Sequence, residues 1–163
     1  MKDYPTTQAI RILKENKVNF IPHLYKYIEH GGTRTASIAL GVPEHYIIKT
    51  IVMQTDEKKP LIVLMHGDYE VSTKNLARII RVKHIEPSDE STAQKATGYV
   101  FGGMSPLGTR QKIPIYAEKT IFSLNKIFIN AGKRGFLVEI NPEDLRKILE
   151  ITEVEVGIKP SEK

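Results

Sequence analysis

The chain has no cysteine among its 163 residues, which excludes disulfides and thiolate metal ligation. That absence suits a reducing cytoplasm, the compartment expected for it. No apolar run approaches the roughly 20 residues of a membrane-spanning helix, and the opening segment MKDYPTTQAI lacks the apolar core of a signal peptide. Heptads, internal repeats and low-complexity tracts are also missing. The five histidines, His23, His30, His45, His66 and His84, form neither an HExxH motif nor a paired spacing suited to zinc. No metal is therefore expected. There is no Gly-x-Gly-x-x-Gly fingerprint for a dinucleotide either.

What is present is ordinary in bulk: 40% apolar and 26% charged residues, in a length that suits one domain with its own core. That domain is taken as residues 1–158, with 159–163 as a frayed tail. Lysine and arginine exceed the acids by five, a surplus that permits a polyanionic partner without requiring one.

Local signals mark out the elements. A helix is expected over Thr6 to Asn16, capped by Thr6 or Asp3, with Ala9, Ile10 and Leu13 on its apolar face. NFIPHLYKY reads as extended, and TRTASIALGV as a helix stopped by Gly41. YIIKTIVMQ and PLIVLMHGD form a strand pair joined by TDEKK. Ser72 caps a helix running to Ile80, VKHIEP is a short strand, and PSDESTAQKATG is a helix ended by Gly98. IPIYAE, KIFIN and FLVEI are further strands, and INPEDLRKIL opens a helix with Asn141 as cap and Pro142 at its first position. Strands that cluster, with helices scattered among them, do not alternate as in a doubly wound fold. The fold class is α+β, around a mixed, largely antiparallel sheet.

TGYVFGGMSPLGTR, residues 97–110, concentrates four glycines. Gly103 and Gly108 have the spacing of a P-loop, yet Thr109 and Arg110 stand where lysine and a hydroxyl should follow, and QKIPIY reads as extended. Ser105 resembles the serine of a nucleophile elbow, but Leu107 replaces its second glycine and no base can be paired with it. Two readings survive: a loop that brings backbone groups to a ligand, or a tight corner with no ligand. Lys49 interrupts the apolar strand IIKTIVM, and parity puts it with Ile47, Ile51 and Met53. Its ammonium must reach water, an acid or a bound anion, since burial unpaired is costly.

Together with three other segments, this run resembles the YbaK/prolyl-tRNA synthetase-associated domain family over nearly the whole chain. TGYVFGGMSPLG is similar to the family's TGY-x-x-GG-x-SP-x-G signature, IKTIV to its lysine-threonine strand, AGKRG with VEI to its GGKRG turn and next strand, and FIPHLYKY to the strand carrying a pocket tyrosine. The resemblance implies a curled, partly barrel-like sheet with helices packed around it. It implies a trans-editing aminoacyl-tRNA deacylase, which hydrolyses the ester joining a wrong amino acid to tRNA. No cofactor is implied; the implied partner is aminoacyl-tRNA, with prolyl-tRNA synthetase admitted as a second, and no membrane or DNA.

Carried over residue by residue, Lys49 would hold the terminal nucleotide or aminoacyl group, while Gly102 and Gly103 would present backbone groups to the ester or the attacking water. Tyr25 and Tyr99 would wall the pocket, or be core. Ser105 would shape the loop, and Thr50 would contact substrate or serve sheet packing. Lys133 and Arg134, with Arg110 and Lys112, would meet phosphates or be a solvated turn. Asn130 and Ala131 stand where the cysteine-specific branch has serine and glycine, Leu137 replaces a small or acidic residue, and KYIEHGGTRTA is shorter than that branch's loop. Cys-tRNA(Pro) is the first substrate the resemblance implies, and alanine or another small amino acid remains open as the residue removed. A non-catalytic tRNA- or synthetase-binding module, and a hydrolase for another small acyl ester, are the competing readings.

Overall fold

The computed structural model describes residues 3–160. Its centre is the apolar hairpin, with β2 at Ile47–Thr55 and β3 at Pro60–His66, paired antiparallel from Ile48 opposite His66 to Gln54 opposite Pro60. β-Branched residues on both faces of β2 and β3 suit a strand covered on two sides.

The remaining main strands are β1 at Ile21–Leu24, β5 at Ile85–Pro87, β6 at Ile115–Glu118, β7 at Ile127–Lys133, β8 at Phe136–Ile140 and β9 at Ile151–Val154. They join the hairpin in the order β1-β8-β7-β2-β3-β6-β9, with β5 also on β2. Pairings β1–β8, β8–β7, β2–β3 and β2–β5 are antiparallel, whereas β7–β2, β3–β6 and β6–β9 are parallel. The sheet is therefore mixed, largely antiparallel and open, with β1 and β9 at its two edges. Strands β4 (Glu70–Val71) and β10 (Gly157–Ile158) form a small second ladder.

The helices are α1 at Gln8–Glu15, α2 at Gly32–Leu40, α3 at Thr73–Ile80, α4 at Glu90–Thr97 and α5 at Pro142–Ile148. Ser72 caps α3 through its hydroxyl, Asp89 caps α4, and Asn141 caps α5. Gly41 and Gly98 take left-handed conformations at the ends of α2 and α4, as glycine does most cheaply. The α1 cap corrects the sequence expectation by one residue: Thr7, rather than Thr6 or Asp3, accepts from the Ile10 amide at 3.1 Å. Thr7 also donates to the Ala131 carbonyl at 2.5 Å, tying α1 to β7.

Parity in β2 separates the core clusters into one on the first face and two on the other. Ile48 and Val52 face the principal cluster, which includes Ala9, Ile10 and Leu13 of α1, Ala93 and Ala96 of α4, and Phe136 and Val138 of β8. On the other face, Met53 packs with Leu61, Val63, Met65 and Leu76, while Ile47 packs with Ala36, Phe128 and Leu137. Lys49 lies between these two clusters, a polar break in an otherwise apolar face.

Candidate active site

The functional cleft begins as a break in sheet pairing. Along one edge of β2, the register with β7 ends at Ile48 opposite Ile129, and that with β5 begins at Met53 opposite Pro87. Between them, among the described residues, Lys49–Val52 have no partner strand on that side. The Val52 carbonyl accepts from the Ser88 amide at 3.0 Å. Alternation along an antiparallel strand turns the Thr50 peptide groups the same way, into the gap. The Thr50 hydroxyl is buried and has no hydrogen-bond partner among the described residues. Position 50 thus turns backbone polar groups toward the gap, beside a buried hydroxyl left without a partner.

The gap opens into a cavity of about 630 Å³ whose lining includes Tyr25, Lys49, Thr50, Gly102, Asn130 and Arg134. It unites six of the ten residues singled out in the sequence. The Lys49 ammonium is directed to the Tyr69 carbonyl. Burial lowers the Lys49 pKa, and the carboxylates of Glu44, Glu70 and Asp68 oppose that shift only in part. Tyr25 is anchored by its amide to the Gly135 carbonyl at 2.9 Å. Burial raises its phenol pKa, with Tyr27 adding to the effect.

The glycine run forms one wall. Gly102 has φ +89°, and a Cβ there would lie 2.6 Å from the Tyr27 hydroxyl; backbone and ring meet only because the side chain is absent. Its amide has no hydrogen-bond acceptor among the described residues, while its carbonyl accepts from Asn130 Nδ2 at 3.1 Å. Asn130 also donates to the Lys133 carbonyl at 3.2 Å. Its Oδ1 accepts from the amides of Gly132 and Lys133 at 2.7 and 3.2 Å. Arg134 Nε donates to the Phe101 carbonyl at 2.9 Å, and its guanidinium sits 5.3 Å from the Tyr27 ring centre. One carboxamide and one guanidinium therefore staple the glycine run to the β7–β8 turn.

The other four residues lie elsewhere. The Gly103 amide donates to the Val100 carbonyl at 3.0 Å, and its Cα packs on the Lys133–Arg134 backbone. Tyr99 is buried in the principal core, where its hydroxyl donates to the Leu107 carbonyl at 2.6 Å and burial pushes its pKa up to about 12. Ser105 is fully buried and accepts from the Leu107 amide at 3.1 Å. Lys133 is exposed outside the lining. Of the other two cations, Lys112 pairs with Glu150 at 3.6 Å on a separate groove, and Arg110 packs beside Gly98.

The cavity also takes in Tyr27, Thr33, Ser88, Glu90 and Phe101, which sequence reasoning passed over. Tyr27 alternates with Tyr25 in YKY, a signal open to detection. Ser88 and Glu90 reach the site only through the β5–β2 pairing, which leaves no local mark. Among the described residues no group of three or more His, Asp or Glu side chains is placed to hold a metal ion, and no helix is long and apolar enough to cross a membrane.

Comparison with known proteins agrees with this architecture. A solved structure described as hypothetical protein APE2540 superposes with TM-score 0.84 at 19% identity, over 93% of this chain and 100% of that one. A second, described provisionally as a trans-editing enzyme for prolyl-tRNA synthetase, gives 0.80 at 16% identity, over 95% and 99%. At those identities the likeness is one of fold. A protein of Enterococcus faecalis, provisionally named Cys-tRNA(Pro)/Cys-tRNA(Cys) deacylase EbsC, is 29% identical over 143 residues, 87% of each chain. Proline–tRNA ligase of Brachyspira hyodysenteriae is 33% identical over 86 residues, 53% of this chain and 15% of that longer protein. The family described as the aminoacyl-tRNA editing domain matches residues 31–148, most of the chain and every wall of the cavity except Tyr25, Tyr27 and their neighbours up to His30. The chain belongs to the aminoacyl-tRNA editing domain family.

Proposed function

We propose that this chain is a trans-editing aminoacyl-tRNA deacylase that hydrolyses the ester between a small, wrongly attached amino acid and the terminal ribose of tRNA, with Cys-tRNA(Pro) the first substrate to test. The observation that carries the reading is the unpaired stretch of β2, whose Lys49 and Thr50 line the same cavity as Gly102. The Enterococcus relative named as a deacylase over most of its length supports the same activity.

In this reading water attacks the ester carbonyl carbon, the bond to the ribose oxygen breaks, and that oxygen leaves with a proton. The products are a free amino acid and tRNA with its 3′ end restored. Charge gathers on the carbonyl oxygen as the tetrahedral intermediate forms. The free Gly102 amide and the Lys49 ammonium are the donors suited to it, and a fixed donor of this kind contributes about 3 kcal/mol, on the order of a hundredfold in rate. Thr50 offers its peptide groups to the aminoacyl moiety. Asn130 and Arg134 hold the glycine wall in place, and Arg134 also carries charge to the cavity for a phosphate. Glu29, His30 and Glu90 line the cavity, but none of them is assigned in this reading to deprotonating the water. A neighbouring hydroxyl of the tRNA ribose or the amino acid's own side chain supplies that help, because an activated ester needs positioning and polarisation above all.

The same reading takes residues 1–158 as one editing domain, supported by the principal core that draws on α1, α4, β6, β7, β8 and α5. Lys159 and Pro160 of the tail are exposed, and residues 161–163 lie outside the described residues. A tRNA substrate implies a cytoplasmic site of action and admits prolyl-tRNA synthetase as a partner. The test is release of labelled amino acid from Cys-tRNA(Pro), Ala-tRNA(Pro) and Pro-tRNA(Pro). Rapid release from a mischarged species with Pro-tRNA(Pro) spared supports editing; tRNA binding with every ester left intact, across a wider amino-acid panel, leaves a binding module instead.

A further inference from the structure

Behind Lys49 lies a polar layer built from two turns. One is the 3₁₀ turn Glu44–Tyr46 that leads into β2; the other is the 67–69 turn that leaves β3. Gly67 seats the second on the first. Its amide donates to the Ile47 carbonyl at 2.6 Å, and a Cβ at this position would stand 2.7 Å from both the Glu44 carbonyl and the Thr33 hydroxyl. The Thr33 hydroxyl lies 2.7 Å from Glu44 Oε2 and 3.1 Å from the Gly67 carbonyl.

Two histidines complete the layer. The ring of His45 stacks on that of His66 at 3.7 Å and 6°, and Tyr69 meets both edge-on at 5.1 Å. His66 is fully buried. Its Nδ1 lies 2.8 Å from the His45 carbonyl, which can only accept, so Nδ1 carries the proton. Its Nε2 then accepts from the Thr120 hydroxyl at 2.7 Å. His45 Nδ1 reaches the two carboxylate oxygens of Asp68 at 3.0 and 3.2 Å. Asp68 is the residue immediately before Tyr69, whose carbonyl receives the Lys49 ammonium. The charged and titratable groups facing that ammonium are Glu44, Asp68 and Glu70, with His45, His66 and Tyr69 forming the stack behind the carbonyl.

We propose that His45, His66 and Asp68 are positioning residues, a clamp that fixes the 67–69 turn and thereby holds the Lys49 ammonium at the wall of the cavity. None of the three lines the cavity; they act through Lys49. The clamp itself rests only on geometry, whereas its effect on rate rests on the deacylase reading.

The test uses the full chain and two disrupting variants, Asp68→Ala, which removes the acceptor from His45, and His45→Phe, which keeps a stacked ring without the donor. Circular dichroism selects the folded ones, and Asp68→Asn, which retains a carbonyl oxygen for His45, is the rescue. Two readouts are taken. In the first, a hydroxysuccinimide ester acylates lysines and the modification of Lys49 is followed by peptide mass, with exposed Lys83 as reference. Lys49 should label several-fold faster in Asp68→Ala and His45→Phe than in wild type, and near the wild-type rate in Asp68→Asn. In the second, kcat for aminoacyl-tRNA should fall about tenfold in Asp68→Ala with KM nearly unchanged, as expected when one positioned group is displaced, and recover in Asp68→Asn. Altered labelling in a protein without deacylase activity would uphold the clamp and defeat the deacylase reading. Unchanged Lys49 labelling in folded Asp68→Ala and His45→Phe would overturn the clamp.

Discussion

The Asn130 carboxamide donates to the Gly102 carbonyl across 3.1 Å, joining strand β7 to the glycine run. The same side chain closes the 130–133 turn through three further hydrogen bonds. Asn130→Ala breaks all four, and because the side chain is exposed to competing water each contributes less than the ~1 kcal/mol of a typical bond. Expected is a destabilisation of about 1–2 kcal/mol in denaturant unfolding, together with at least a tenfold fall in deacylation as the wall loosens. Unfolding midpoints and single-turnover rates check the two separately.

Gly102→Ala tests the wall more narrowly. Both the φ of +89° and the 2.6 Å approach to the Tyr27 hydroxyl disfavour any side chain. The strain is expected to cost on the order of 1–3 kcal/mol, and movement of the loop should lower kcat more than it weakens tRNA binding. Rates and tRNA affinity, measured on the same preparation, decide it.

His66 gives a pH dependence of stability. Burial lowers its pKa below the ordinary value of 6.5, so below that value the unfolded chain binds a proton that the folded chain refuses. Its contribution is complete above pH 6.5 and is lost as pH falls from there toward the lowered folded value, at up to about 1.4 kcal/mol per pH unit. Chemical unfolding of wild type and His66→Asn across pH 5 to 8 should show the slope in the first and a flatter line in the second.

Lys49 gives a pH dependence of rate with the opposite limb. Burial lowers its pKa, so the ammonium is lost, as pH rises, below the ordinary lysine range near 10.5. Enzymic release, corrected for spontaneous ester hydrolysis, should therefore decline on an alkaline limb that sits below that value. Lys49→Arg, with a guanidinium that stays charged, should lack the limb at whatever rate it retains.

The legible parts of the fold were those with local causes. Ser72, Asn141, Gly41 and Gly98 announce helix ends because a cap depends on a few neighbouring atoms. Strands β4, β9 and β10 went unseen, since segments of two to four residues are strands only by virtue of distant partners. Lys49 stood out as a charge in an apolar strand. The availability of Thr50 did not, because the gap beside it arises where two non-local pairings stop short of each other. Tyr27 contacts Gly102 only through loop packing. Tyr99, although inside the signature, turns into the principal core rather than the cavity.

The most direct measurement is single-turnover release of amino acid from Cys-tRNA(Pro) and Ala-tRNA(Pro) by wild type and Lys49→Ala, with tRNA affinity measured for both proteins. Fast release from one of these by wild type, reduced about a hundredfold in Lys49→Ala while tRNA still binds, is the predicted result. Equal release by the two proteins would place the chemistry outside this cavity and contradict the account.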